Sequence, residues 1–170
     1  MGSRLTRPGG GARAAAVTVR RATAGDAGRL TRLVRRSGAY RAPYASMVAG
    51  YRVGQGYIEN HEVHVATGAE GRILGFYALV LDPPELDLMF VADDAQGLGI
   101  GRLLVAHLTE RAYAAGLDAV RVVAHPPAEG FYRAVGAHRT GTVPATPPAV
   151  PWDRPELTLP VGPERTDGEG

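Results

Sequence analysis

The feature that most constrains this chain is Gln96-Gly97-Leu98-Gly99-Ile100-Gly101-Arg102. It follows an apolar run, Leu86 to Val91, and opens a helical pattern. Glycine at alternate positions permits positive φ and lets the backbone approach a ligand with no side chain between. The helix that begins here directs its free N–H groups back at the loop. Its N-terminus also carries about half a positive charge from the aligned peptide dipoles. Strand, glycine loop and helix together make a site for a phosphate or diphosphate. Two phosphate loops are excluded by spacing. A Walker loop ends in Gly-Lys-Ser/Thr, whereas this one ends Gly101-Arg102-Leu103; a dinucleotide fingerprint needs Gly-x-Gly-x-x-Gly, whereas the spacing here is Gly-x-Gly-x-Gly.

The elements around the loop can be read in order. Residues 1–16 are rich in Gly, Ala and Arg, lack periodicity and are expected to be a disordered tail. Met1-Gly2-Ser3-Arg4-Leu5-Thr6 matches the short myristoylation pattern, which is read as part of that tail. Val17 to Arg21 alternates as a first strand. Thr23 to Asp26 caps a helix that buries Ala27, Leu30, Leu33 and Val34 and stops near Gly38. Tyr40, Tyr44, Met47, Val48 and Tyr51 suggest a second helix over 40–51. Glu62 to Thr67 and Ile73 to Leu81 should pair as a hairpin across the Gly68–Gly71 turn. Asp82-Pro83-Pro84 breaks the chain before the strand Glu85 to Val91. The helix after the glycine loop places Ile100, Leu103, Leu104, Leu108 and Ala115 on one face and ends at Gly116. His107 falls on or beside that face and reads as a core or boundary residue. A strand over Asp118 to Ala124, a short helix from His125 to Val135, a strand over Ala137 to Val143 and a last strand over Glu156 to Val161 complete the order. The proline-rich stretch Thr142 to Pro155, which holds Trp152, reads as a loop. Residues 162–170 should be a loose tail.

Composition removes several functions. The 170 residues suit one domain, here 17–161, and 45% hydrophobic content suffices for a core. The formal net charge of +2 is too small to argue for nucleic acid. No cysteine is present, so disulfides, thiolate metal sites and a cysteine nucleophile are absent together. No apolar run approaches the ~20 residues that span a bilayer. His61 and His64 do not share a strand face, and no metal-ligand cluster appears. A cytoplasmic location without a membrane partner is the expectation.

The loop resembles the coenzyme A loop of the GNAT N-acetyltransferase superfamily, Gln/Arg-x-x-Gly-x-Gly/Ala, with Gln96, Gly99 and Gly101 in its fixed places. The resemblance continues in Ala128-Glu129-Gly130-Phe131-Tyr132-Arg133-Ala134-Val135-Gly136-Ala137, which is similar to the superfamily's Ala-x-x-x-Tyr-x-x-x-Gly-Phe. It covers roughly residues 17 to 161. It implies an α/β GNAT fold: a mixed, mostly antiparallel sheet flanked by helices, with a splayed central parallel strand pair. It also implies acetyl-CoA as acyl donor. The diphosphate would lie on Gln96, Gly97, Leu98, Gly99, Ile100, Gly101 and Arg102, and the pantetheine arm on the backbone of Met89, Phe90 and Val91. Many members have Asn where this chain has His125, so His125 is a candidate cofactor contact, acceptor contact or base. Members often dimerise, which makes a homodimer an expectation.

Acetyl transfer to an amine adds two needs. An alkyl amine of pKa ~10.4 is only about 0.04% neutral at pH 7, so its proton must be taken. Glu85 and Asp87 are the carboxylates ahead of the pantetheine-binding backbone and are candidate bases. The departing thiolate must gain a proton, and Tyr132 matches the tyrosine that often supplies it in the superfamily. Without cysteine, direct attack in a ternary complex is the simpler route. The residues therefore predict an N-acetyltransferase for a small-molecule primary amine. The alternatives are a peptide or protein acceptor, and a non-catalytic acyl-CoA-binding regulatory module.

Overall fold

The computed structural model describes residues 16–40 and 44–162. The tails expected at 1–16 and 162–170 lie almost wholly outside the described residues, as does the myristoylation pattern.

Seven strands form one sheet: β1 (Thr18–Arg21), β2 (Glu62–Thr67), β3 (Ile73–Leu81), β4 (Pro84–Val91), β5 (Ala119–Val123), β6 (His138–Val143) and β7 (Arg154–Pro160). Their spatial order is β1-β2-β3-β4-β5-β7-β6. All neighbours are antiparallel except β4 and β5, which are parallel. The helices are α1 (Ala27–Arg35), α2 (Gln55–Asn60), α3 (Ile100–Ala114) and α4 (Glu129–Ala134).

β3 sits near the middle of the sheet and is covered on both faces, which is why Ile73 to Val80 is almost uniformly apolar. Its side chains alternate between two cores. Phe76 and Ala78 pack with Leu30 and Val34 of α1, Ile58 of α2 and Phe90 of β4. Tyr77 and Leu79 pack with Ile100, Leu104, Val105 and Leu108 of α3, and with Tyr132 of α4. The buried face of α3 is thus Ile100, Leu104, Val105, Leu108 and Ala112. Leu103 and Ala115, expected on it, are exposed, because the stripe is rotated by one position toward Val105.

The start of α1 is fixed by Asp26, 1% exposed, whose carboxylate accepts the Thr23 N–H at 2.8 Å and a fork from Arg20 at 2.9 and 3.0 Å. Arg29 also donates to it.

The second helix lies later than its spacing suggests. Residues 44–47 and 38–40 form single tight turns, and the helix is α2 at Gln55–Asn60. Side chains from this segment have two destinations. Val48 enters the core, while Tyr40 and Tyr44 turn to His125. One helix face cannot serve both. Arg41, Ala42 and Pro43 lie outside the described residues.

Two irregularities open the sheet at its centre. The β4–β5 pair is joined only at Glu85↔Arg121 and Leu86↔Val122, so the strands part beyond Leu86 while β5 stays zipped to β7. Between β3 and β4 the register steps from Ala78↔Leu88 to Leu79↔Leu86, which leaves Asp87 as an extra residue in a β-bulge.

Candidate active site

The gap between β4 and β5 opens into a cleft of about 700 Å3. Its floor is the second half of β4, one end is the glycine loop, and its far wall is the end of β5 with α4. The ladder to β3 decides which peptide groups face it. The N–H of Ala92 donates to Leu74 O at 2.8 Å, on the β3 side. Alternation then turns the peptide groups of Met89 and Val91 toward the gap. Gln96 confirms the direction from the other side: its Nε2 donates to Val91 O at 3.1 Å. The Gln96 side chain therefore ties the loop to the end of β4.

Within the loop, Gly97 and Gly99 have φ of 77° and 79°. A side chain is strained in that region, which accounts for both glycines. Gly99 is the residue before α3, so the N–H groups of the first turn open onto the loop. Gly101 has a different reason. A Cβ there would lie 3.0 Å from the Phe131 ring, so its absence lets α3 and α4 approach. Gln96, Gly97, Gly99, Ile100, Gly101 and Arg102 line the cleft, whereas Leu98 is 70% exposed and is not among its lining residues. The backbone donors, the absence of side chains at Gly97 and Gly99 and the open peptide groups of β4 fit a diphosphate with a pantetheine arm.

The catalytic candidates separate. Tyr132 lines the cleft and is 8% exposed. Burial pushes its phenol above the ordinary value, and Tyr40 adds to the rise, so it holds its proton at neutral pH. Asp87 also lines the cleft, and Tyr57 of α2 donates its hydroxyl to it. Burial, then that bond, pushes the Tyr57 phenol up, so Tyr57 is the donor of the pair. Glu85 does not line the cleft; it lies 3.6 Å from Arg121, which also binds Glu156 at 3.1 Å. The bulge explains the division, because it brings Asp87 rather than Glu85 to the point where the strands part.

His125 lies at the end of β5 and is nearly buried. Its ring stacks on Tyr40 at 4.2 Å and meets the edge of Tyr44 at 4.3 Å. Tyr44 in turn meets Trp152 at 4.6 Å. The proline-rich loop and the 40–51 segment thus meet in one aromatic wall. Arg154, at the start of β7, also lines the cleft. Nothing in its sequence context marks it, since it falls within the proline-rich stretch Thr142 to Pro155 that reads as a loop.

A family profile described as "Acetyltransferase (GNAT) domain" matches residues 39–144, well over half of the chain. No curated protein matches in sequence. Solved structures share the fold. A GCN5-related N-acetyltransferase from Rhodopseudomonas palustris superposes with a TM-score of 0.75 at 18% identity, covering 85% of this chain and 95% of that one. The ribosomal-protein-S18-alanine N-acetyltransferase of Escherichia coli gives 0.66 at 17% identity, with 91% and 100% covered. A phosphinothricin acetyltransferase from Sinorhizobium meliloti, solved in complex with AcCoA, gives 0.65 at 23% identity, with 86% and 89% covered. With the profile match over most of the chain and the splayed parallel pair at its centre, the protein belongs to the GNAT acetyltransferase family.

Proposed function

We propose that the protein is an acetyl-CoA-dependent N-acetyltransferase that acts on a primary amine of a small molecule by direct attack in a ternary complex. One observation carries this reading. A single cleft joins the glycine loop, the gap-facing peptides of β4, the Tyr132 side chain and the Asp87 carboxylate. Acetyl-CoA, when bound, supplies the activated acetyl thioester. The loop from Gln96 to Arg102 holds its diphosphate through backbone N–H groups and the dipole of α3. Met89 and Val91 hold the pantetheine arm, although the Val91 carbonyl already accepts Gln96 and leaves mainly the Val91 N–H and the Met89 peptide groups. Asp87 takes the proton of the incoming ammonium, directly or through a water. Tyr132, kept protonated by burial, gives its proton to the departing sulfur.

A small acceptor is supported by the rings of Tyr40 and His125, which line the cleft and are backed by Tyr44 and Trp152. The similar structures include enzymes named for a small molecule and for a protein, so their likeness does not choose the acceptor. A thiol-release assay with acetyl-CoA tests the reading, against a panel of small primary amines and of peptides with free N-termini. Turnover with small amines is expected. Turnover confined to peptides would move the acceptor, and tight acetyl-CoA binding with no turnover on either set would leave a non-catalytic module.

A further inference from the structure

We propose that Arg154 recognises a carboxylate on the acceptor, so that the amine taken into this cleft belongs to an amino acid or a similar amino-carboxylate. This rests on the N-acetyltransferase reading of the same site and adds the class of its acceptor. Along β7, Pro155, Leu157 and Leu159 are buried, and alternation turns Arg154, Glu156 and Thr158 to the opposite face. On that face Glu156 is already taken by Arg121. Arg133 and Arg139 are likewise paired, both with Glu129. Arg154 is different. Its Nε is buried with no hydrogen-bond partner among the described residues, and the residue lines the cleft. Its charge is felt at the phenol of Tyr40, so it stands near the Tyr40–His125 stack and on the acceptor side.

A guanidinium nitrogen withdrawn from water without a partner is unfavourable, and a carboxylate relieves it best because the two planar groups form a bidentate pair. Asp87 supplies the opposite charge in the same cleft. With Asp87 and Arg154 both lining it, the cleft complements a zwitterion, its ammonium toward Asp87 and its carboxylate toward Arg154. Arg102, by contrast, is exposed on the first turn of α3 at the diphosphate end. The other source of an anion here is the coenzyme itself, and the test separates the two.

The test is calorimetric titration of N-acetyl-L-phenylalanine and N-acetyl-L-leucine, each against its C-terminal amide, with and without saturating coenzyme A. Neither pair needs turnover, so the result stands whether or not the protein transfers acetyl groups; the thiol-release assay reports on that separately. The acids should bind more tightly than the amides by about tenfold or more, ~1.4 kcal/mol. Arg154→Gln should abolish the preference, Arg154→Lys should keep part of it, and acetyl-CoA affinity should be unchanged in both. Equal binding of acid and amide, no binding of either, or a preference that survives Arg154→Gln overturns the proposal. A loss of acetyl-CoA affinity in Arg154→Gln also overturns it and gives Arg154 to the coenzyme.

Discussion

Asp87 and Glu85 look equivalent in sequence, two acids one residue apart on one strand, yet only Asp87 lines the cleft. The difference comes from a bulge, which depends on how β4 meets β3 and leaves no mark in an apolar alternation. Asp87→Asn should lower kcat by ~10²-fold or more, the low end of a general-base contribution, with acetyl-CoA affinity kept. Glu85→Gln should change kcat little, since that side chain pairs with Arg121. Steady-state kinetics on both variants check this, and a larger loss in Glu85→Gln would reverse the assignment. Tyr132→Phe removes one oxygen and keeps the ring in its buried place. We expect kcat to fall nearer ~10²-fold than ~10⁴-fold, because a thiolate is a fair leaving group unaided. A native kcat in this variant would end the role of Tyr132 as acid. Some positions were legible at once: the glycine spacing and the Ala128 to Gly136 segment mark the loop and the tyrosine that the fold brings to one cleft. Gln96 was legible as a position but not as a tie to the Val91 carbonyl, because that contact depends on where the loop folds back. Arg154 was not legible, since its significance lies in a missing partner.

At the scale of elements, the strand, loop and helix bounds around the cleft follow the sequence closely. Ile73 to Leu81 is a strand over its full length, and α3 starts at Ile100 directly after Gly99, the loop's last left-handed glycine. These segments have one strong period or one clear break each. The region 40–60 has neither. Tyr40 and Tyr44 serve the aromatic wall, while the helix itself, α2, uses Ile58 for the core and offers Tyr57 to Asp87. The packing of α3 on the sheet is what holds the glycine loop against β4. Leu104 is completely buried between α3 and β3. Leu104→Ala should therefore destabilise the fold by about 2–5 kcal/mol, read by urea denaturation. A loss below about 0.5 kcal/mol would contradict the packing described here.

At the scale of the whole molecule, two paired carboxylates, Glu62 and Asp26, stand apart from the cleft. Glu62 accepts from Arg111 at 3.0 Å, lies 3.1 Å from Arg21, and is 2.7 Å from His64. Burial raises its carboxyl, but the bonds from Arg111 and His64 outweigh that and leave it lowered to about 2. The Arg20 fork, opposed in part by burial, likewise holds Asp26 below its usual range. Beside Glu62, His64 and His107 are both lowered, chiefly by burial, and Tyr77 bonds His107 Nδ1 at 2.7 Å. The signs agree. A lowered folded-state value means that the unfolded chain binds protons first as pH falls, so stability decreases as pH decreases. The histidines contribute in full above their ordinary 6.5 and lose that contribution as pH falls through it. The two acids contribute until pH drops below their ordinary values of 4.5 and 3.8. Urea denaturation should show an early, shallow loss below about pH 6.5 and a steeper one below about 4.5. Stability that rises between pH 7 and 5 would contradict this. Among the described residues, no helix is long and apolar enough to cross a membrane.

Acetyl-CoA titrated by calorimetry into the wild-type protein and a folded Gly99→Asp variant tests the cofactor loop most directly. The substitution places a carboxylate at a left-handed position beside the N-terminus of α3, where the proposed site would hold the diphosphate. Saturable binding to the wild-type protein is expected, weakened by about tenfold or more in the variant, ~1.4 kcal/mol. Equal affinity in the two folded proteins, or no binding to the wild type, would contradict the assignment of this cleft to acetyl-CoA.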